Sequence, residues 1–514
     1  MTLLFMATLL FQSDQDLTRI RELLGQAEQM AGAIQEPSLR SEALCKIAEL
    51  RAEAHDAEGS LTILGRIPDP YKQALGYASV ANMLTKNGDP KDARRIVILG
   101  LKACGEGERD FRMGSGVAYL VIALAKSGDL DGAVKHLEAV PAGPTGRNFA
   151  DNQVAFVLAS HGRLERALEM LAGSNDETYV ECIEVMVQEV DPSLALPLVQ
   201  KIRAVHIRGR ALESIVKAQF ERGHSEEAIA TARSIEDSST KALILIWLAD
   251  ELRPAKPDLA TGLLALARSS ADAIDPPSLR YHAYANLSRS WSRAGKADNA
   301  LRFAELAEKA QQEIAQSWVR RPALAEVGAA YAAGGNVAKA LQMVSSDPEA
   351  DREEILTEIA EAQAEMGDVK GALKTIEPCN KPFHHSRVLL EISKRERKPE
   401  EARNRLAEAA AAMETVEIRR GGSNENPMLN HLSGIMEAQA NAGDFEGSVK
   451  IALRIRQDLG DWYGGFDLRR VAKWQVEAGR LEDALVWIGK VEQPLPKSLA
   501  LAGTAEGLLV RAKR

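Results

Sequence analysis

Few side chains in this sequence stand where they could do chemistry. His384 and His385 are adjacent, just past Pro382 and near Cys379. Neighbours on a helix point about 100° apart, so two such imidazoles cannot face one metal, and no carboxylate stands at ligand spacing. The pair is read as a loop without a metal. Cys45, Cys104, Cys182 and Cys379 lie far apart. They form no CxxC pair, zinc spacing or disulfide framework, and are read as small, mostly buried hydrophobes. Gly114-Ser115-Gly116 lacks the preceding strand and third glycine of a dinucleotide loop, and no GxxxxGK[ST], HExxH or GxSxG occurs. The Asn286-Leu287-Ser288 sequon falls inside a helical stretch. One group remains. Arg289 and Arg293 are four apart on one helix face, close to His282 and Trp291. A cationic stripe there could take an acidic or carboxylate-bearing peptide. An enzyme or small-ligand receptor would have to place its cleft at the same spot. The plainer account is a solvated helix face with ordinary salt bridges.

Composition narrows the class. The 514 residues are 45% apolar and 27% charged, and 64 Lys and Arg against 73 Asp and Glu give a net charge of −9. That apolar share excludes a mostly disordered chain. A mildly acidic balance with only 5% aromatic residues argues against nucleic acid, which needs a basic stripe or stacking platforms. Residues 2–11 (TLLFMATLLF) form an apolar run that suits the core of a signal peptide and is too short to span a bilayer. No basic residue precedes it and no A-x-A-like site follows, so the lean toward export is slight. The other account is a first helix packed on the end of the fold. No segment has transmembrane length.

The elements that must position any site are legible from a recurring phrase. Residues 81–89 read ANMLTKNGD and residues 360–368 read AEAQAEMGD. Related phrases end at Gly128, Gly162, Gly223, Gly295, Gly335, Gly443 and Gly479, with a weaker copy at His55. Five residues after each stands Ser60, Ala93, Ala133, Ala167, Ala228, Ala300, Ala340, Ala372, Ser448 or Ala484. The pattern predicts a helical hairpin. The glycine ends the first helix in the left-handed conformation, the next residue (Asp in five copies) caps the second, and the small residue lets the two backbones approach. Pro90 after Asp89 marks one start most clearly. The longer spacings follow longer second helices, near residues 300–315 and 402–413. Such units bury their apolar faces only by stacking. About thirteen hairpins are expected, with irregular copies near 190–203 and 252–260 where groove continuity should break.

The pattern resembles the tetratricopeptide repeat family. The resemblance rests on Ala48, Ala81, Ala155, Ala360 and Ala472 seven before the turn, on the small column five after it, and on Leu84, Leu124, Leu158, Trp291 and Tyr331 four before it. Proline arrives early, at Pro68, Pro141 and Pro348, so some second helices should be a turn short. The resemblance implies an all-α solenoid, a right-handed superhelix running through residues 38–514 after an N-terminal segment (1–16) and a helix (17–37). It also implies a concave groove that binds peptides or protein segments. In that register the groove-facing residues are Asn82, Lys86, Lys126, Phe149, Asn152, Phe156, Arg210, Lys217, His282, Arg289, Arg293, Phe466, Arg469 and Lys473. The family's carboxylate clamp is not legible. Gln219, Gln363, Gln439 and Gln475 replace the large residue before the turn; they either line the groove or sit half-buried against a neighbouring helix. Residues 393–405 read as an exposed hairpin, and 419–427 as a polar loop. The expected function is a non-catalytic protein-interaction scaffold without a cofactor. The alternatives are an exported envelope adaptor and an enzyme or small-ligand receptor.

Overall fold

The computed structural model describes residues 2–104, 111–138, 140, 147–418 and 426–513; for residues 2–15, 111 and 112 it describes the backbone alone. Residues 419–425, most of the expected polar loop, and the side chains of the signal-like run lie outside the described residues.

Among the described residues there are 28 α-helices, two short 3-10 turns and no strand. Between the first helix, Thr2–Gly32, and the last, Pro494–Ala512, the others pair in sequence as thirteen hairpins. The first helix runs unbroken through residue 16, where the sequence had suggested a boundary. The second helices that precede the early prolines are short, as is Leu164–Met170, which no nearby proline follows. Ala57–Leu64 and Leu130–Leu137 have 8 residues and Val337–Met343 has 7, against 16 in Ala297–Gln312.

Turn geometry explains the repeat. The nine turn glycines have φ between +69° and +89°, and His55 stands in for a tenth at +57°. At Gly88 this conformation lets Asp89 N–H reach back to the Leu84 carbonyl (2.8 Å), satisfying a carbonyl at the helix end. The same bond joins Asp368 to Gln363 (2.9 Å) and Lys296 to Trp291 (3.0 Å). Asp56, Asp129, Asp368 and Asp444 then cap the second helix by accepting from an N–H three residues on, at 2.9–3.0 Å. Asp89, whose start looked clearest in sequence, makes no such side-chain cap and meets His55 Nδ1 at 3.3 Å instead. All ten small residues five past the turn are fully buried.

The hairpins divide into two compact units. One comprises Met1–Gly173 with Glu417–Arg514, the other Ser174–Val416. In the first unit both ends of the sequence pack together. Ser498 Oγ donates to the Ala27 carbonyl at 2.8 Å, and Lys513 Nζ pairs with Glu53 at 2.8 Å. Helix Pro494–Ala512 also presses on Asp461–Glu477, and a Cβ at Gly503 would lie 2.2 Å from the Arg469 carbonyl oxygen. Only glycine permits that approach.

The two irregular copies differ in kind. Near 190–203 the second helix is reduced to a 3-10 turn, Pro192–Ala195, and four α-helical residues, Leu196–Val199. Near 252–260 the hairpin is regular, with Pro257 opening the 16-residue helix Pro257–Asp272. Its turn simply lacks glycine and closes with Lys256 N–H on the Leu252 carbonyl (2.7 Å).

Candidate partner-binding site

The residues expected in a groove fall into both units. Arg210, Lys217, His282, Arg289 and Arg293 belong to the second; Asn82, Lys86, Lys126, Asn152, Phe156, Arg469 and Lys473 belong to the first.

In the second unit the five lie on two first helices, Val205–Glu221 and Arg280–Arg293, and with their partners form a ladder along the first helices of successive hairpins. Arg210 pairs with Glu177 at 3.0 Å and Lys217 with Glu213 at 2.6 Å. His282 Nδ1 lies 2.6 Å from Glu326. Arg293 bridges Asp250 (2.6 Å) and Glu365 (3.1 Å), and Arg289 joins Glu365 at 3.0 Å. Arg387, which the repeat register did not single out, meets Glu354, Glu358 and Glu361 at 2.7–2.8 Å. Every one of these carboxylates is carried on a first helix, so this face is common to the hairpins of the unit. With Arg253 at Asp250 (2.5 Å), it holds eight carboxylates against six guanidinium or ammonium groups and His282. The cationic stripe expected at Arg289 and Arg293 is therefore neutralised, and the face is acidic on balance.

The electrostatics follow from this pairing. The Glu326 hydrogen bond holds His282 above its ordinary value. Burial pushes Glu365 up, but Arg289 and Arg293 pull it down further, leaving it below the usual carboxylate range. Glu361 goes the other way: burial, with Glu358 and Glu391 adding to it, outweighs a shared Arg387 and raises it to about 7.

Arg289 and Glu365 can meet because the helix between theirs, Ser317–Ala333, offers almost no side chain where they cross. Gly328, Ala329, Ala330, Ala332 and Ala333 are all buried there, and the one large residue among them, Tyr331, points to Glu308 of the preceding helix. Ser292 Oγ likewise lies 2.9 Å from Met366 Sδ. Trp291, by contrast, faces inward: it is 8% exposed, with its Nε1 buried and without a hydrogen-bond partner. It lines no cleft with the arginines. Beside the ladder lies a cavity of about 300 Å³ lined by Glu213, Lys217, Leu243, Ile244, Ile246, Trp247, Asp250 and Asn286. Trp247 meets Phe220 edge-on at 5.3 Å, and Asn286 Nδ2 donates to the His282 carbonyl at 2.8 Å. Trp247 and Asp250 escaped the sequence reading because their hairpin has no turn glycine from which to count.

In the first unit the same register lands on different surroundings. Phe149 lies 5.4 Å from Tyr119, ring to ring. Lys86 is exposed, Lys126 and Asn152 are half-buried, and Asn82 is half-buried with Oδ1 out of reach of any hydrogen-bond partner. Phe156 must be corrected: it is fully buried and touches no solvent. Its helix is apolar from Val154 to Ala159 and buried on all sides there, as a helix without a polar face must be. Phe466 joins an aromatic group with Trp462 (5.2 Å). Arg469 and Lys473 converge on Glu506 of the last helix, at 3.4 and 3.1 Å.

The glutamine column belongs to the core. Gln219, Gln363, Gln439 and Gln475 are 1–4% exposed. Gln363 Oε1 accepts from Thr375 at 2.6 Å and Gln475 Oε1 from Trp487 at 2.9 Å, both across the hairpin. His384 and His385 lie on the helix Pro382–Ser393, since Pro382 opens a helix rather than extending a loop. His384 is buried, 2.9 Å from Thr357 Oγ1, and burial holds it below its ordinary value. Burial raises Cys45 and Cys182 to about 12 and Cys379 to about 11, far from thiolate reactivity. Among the described residues no group of three or more His, Cys, Asp or Glu could hold a metal ion, and no helix is long and apolar enough to cross a membrane.

No protein-family model matches the chain, and no curated protein matches it. Similar solved structures include the Naa15/Naa10 complex bound to HypK-THB (16% identity, 95% of this chain and 88% of that one, TM-score 0.30). Another is the pentatricopeptide repeat protein PPR10 from maize (14% identity, 92% and 70%, TM-score 0.26). A third is the Cut9-Hcn1 hetero-tetramer (13% identity, 95% and 98%, TM-score 0.24). The assignment rests on the hairpins themselves, with their left-handed turn, reach-back bond and fully buried small residue. Each unit is an all-α stack of degenerate helical hairpins, and the turns resemble those of tetratricopeptide repeats.

Proposed function

We propose that the chain is a non-catalytic scaffold that holds a segment of a partner protein along the first-helix face of the second unit. The observation that carries this reading is the cavity at Trp247. Apolar walls (Leu243, Ile244, Ile246, Trp247) stand there beside Glu213, Asp250 and Asn286, on a ladder with more carboxylates than cations. Such a surface offers apolar anchorage and hydrogen-bond acceptors together, and its charge favours a basic segment over an acidic one. A second support is the state of the titratable groups. His282 is engaged by Glu326 and Asn286, and Cys45, Cys182 and Cys379 are held as thiols.

Affinity capture from the native cells, with wild-type protein and Trp247→Ala as baits, tests the reading. A near-stoichiometric partner held by the wild type and lost by the variant is the expected result. A wild-type bait that returns clean would overturn it in favour of a small-ligand role.

A further inference from the structure

The hairpin that begins with Asp176–Glu189 lacks an ordinary second helix. Other hairpins supply 7 to 16 helical residues at that place; this one supplies the 3-10 turn and the four residues Leu196–Val199. Pro192 and Pro197 remove two N–H donors within one short stretch, which limits how far helix can propagate. Apolar surface is left uncovered as a result: Leu194 is 55% exposed, Leu196 37% and Val205 45%. Leu196 and Val205 line a cavity of about 270 Å³ whose inner wall is the buried pair Val199 and Leu212, with Gln200, Arg208, Gly209, Ser234 and Glu236 around it.

The rim of this cavity is cationic in a chain whose net charge is −9. Arg208 lines it, exposed Lys201 and Arg203 follow Gln200, and exposed Arg233 precedes Ser234. Two contacts gather these cations. Arg208 Nη2 donates to the Arg203 carbonyl at 3.3 Å, and Lys241 Nζ to the Arg233 carbonyl at 2.6 Å. Three carboxylates are close, Asp237 among them, its Cβ against Gly209 of the wall. Asp176 already accepts from the N–H groups of Arg203 (3.1 Å) and Ala204 (2.8 Å), and Glu236 lies 3.8 Å from Arg208. Arg208 thus lines an apolar pocket whose flanking segments carry Lys201, Arg203, Arg233 and Lys241, against Glu236 on its wall and Asp176 and Asp237 beside it.

We propose that this pocket docks an acidic segment of a partner protein, which inserts one large apolar side chain between Leu196 and Val205 while its carboxylates meet Lys201, Arg203, Arg208, Arg233 and Lys241. Charge complementarity selects the occupant. The proposal rests on the scaffold reading but uses another face, and it asks for the opposite charge. Attraction of this kind weakens as salt screens it.

Fluorescence anisotropy on the full chain tests the site. The probe is a fluorescein-labelled peptide of Glu and Ser around one central Leu, compared with the same peptide carrying Lys for Glu, or Ala for Leu. The acidic Leu peptide is expected to bind. Its Ala counterpart should bind about tenfold more weakly, the scale of one lost aliphatic burial, and the Lys peptide not at all. Val205→Asp and Lys201→Glu, both at exposed positions, should each weaken binding about tenfold with unchanged circular dichroism, and Trp247→Ala should leave it unaltered. Equal binding of the Lys peptide, no binding by the wild type, or indifference to both variants overturns the proposal. So does a dimer in sedimentation that Val205→Asp dissolves, because the occupant is then a second copy. If capture through Trp247 holds while this titration fails, only the pocket is lost; if the titration holds while capture fails, only the first-helix reading is.

Discussion

Arg289 reaches Glu365 at 3.0 Å from a hairpin two places earlier in the chain, passing over the helix between them. A long side chain at the crossing would hold these two first helices apart. Between 328 and 333 every residue but Tyr331, whose hydroxyl turns to Glu308, is glycine or alanine, and this lets the arginine and the glutamate close over the helix.

This closure has a measurable worth. Glu365 has 11% of its side chain exposed and serves both Arg289 and Arg293, so Glu365→Gln leaves Arg289 facing a neutral amide and Arg293 with Asp250 as its one remaining carboxylate. Stability should fall by about 2–3 kcal/mol, less than for a fully buried pair because both arginines keep some contact with water. It would be seen as a lower urea midpoint with an unchanged slope. Glu326→Gln, at the more exposed His282 pair, should cost less than about 1 kcal/mol.

The glycines split by backbone conformation. At Gly367, φ +84°, alanine is strained and should cost about 1–2 kcal/mol. At Gly262, in the interior of the helix Pro257–Asp272 with open space around it, alanine should stabilise by about 0.4–1 kcal/mol. Thermal melts of the two variants should move in opposite directions. A drop for both would contradict the helical placement of Gly262.

The helix caps should separate in the same way. Asp368→Ala removes an acceptor for Gly371 N–H (2.9 Å) and for Gln363 Nε2 (3.1 Å), and is expected to cost about 1 kcal/mol or more. Asp89→Ala removes only the exposed contact with His55 and should cost less. Equal losses in denaturant titrations would show that the cap is not what distinguishes them.

Acidity should act on one junction from both sides. Glu361 has its folded value raised to about 7, so the stability tied to its proton is whole below the usual carboxylate range and is lost as pH rises through about 7. His384 has its folded value lowered, so its contribution is whole above about 6.5 and is lost as pH falls. Glu361→Gln should therefore gain stability relative to the wild type between about pH 5 and pH 8, most at the alkaline end. His384→Gln should remove part of the loss on the acid side. Melting temperatures across that range check both signs.

The hairpins were readable because their turns impose strict chemistry. A left-handed residue, a cap and a small side chain recur at fixed offsets, and all ten turn positions took up positive φ. The hairpin built on Ser238–Leu252 closes without glycine, so Trp247 and Asp250 had no offset to be counted from. Partners across hairpins were beyond the repeat as well. Arg289 looks like a free cation in its own phrase, and nothing there announces a glutamate 76 residues away. Phe156 failed for another reason: the register names a face, but only the neighbours decide whether that face meets water.

The bond between Ser498 and Ala27 spans 471 positions. It belongs to a unit assembled from both ends of the sequence, whereas the other unit is one uninterrupted stretch. On the ribosome that stretch emerges whole and can settle while later residues are still being made. The early hairpins meet their partner helix Pro494–Ala512 only after that stretch has been made. Order of completion is thus the reverse of order of synthesis, and the early hairpins are where a chaperone would have most to do.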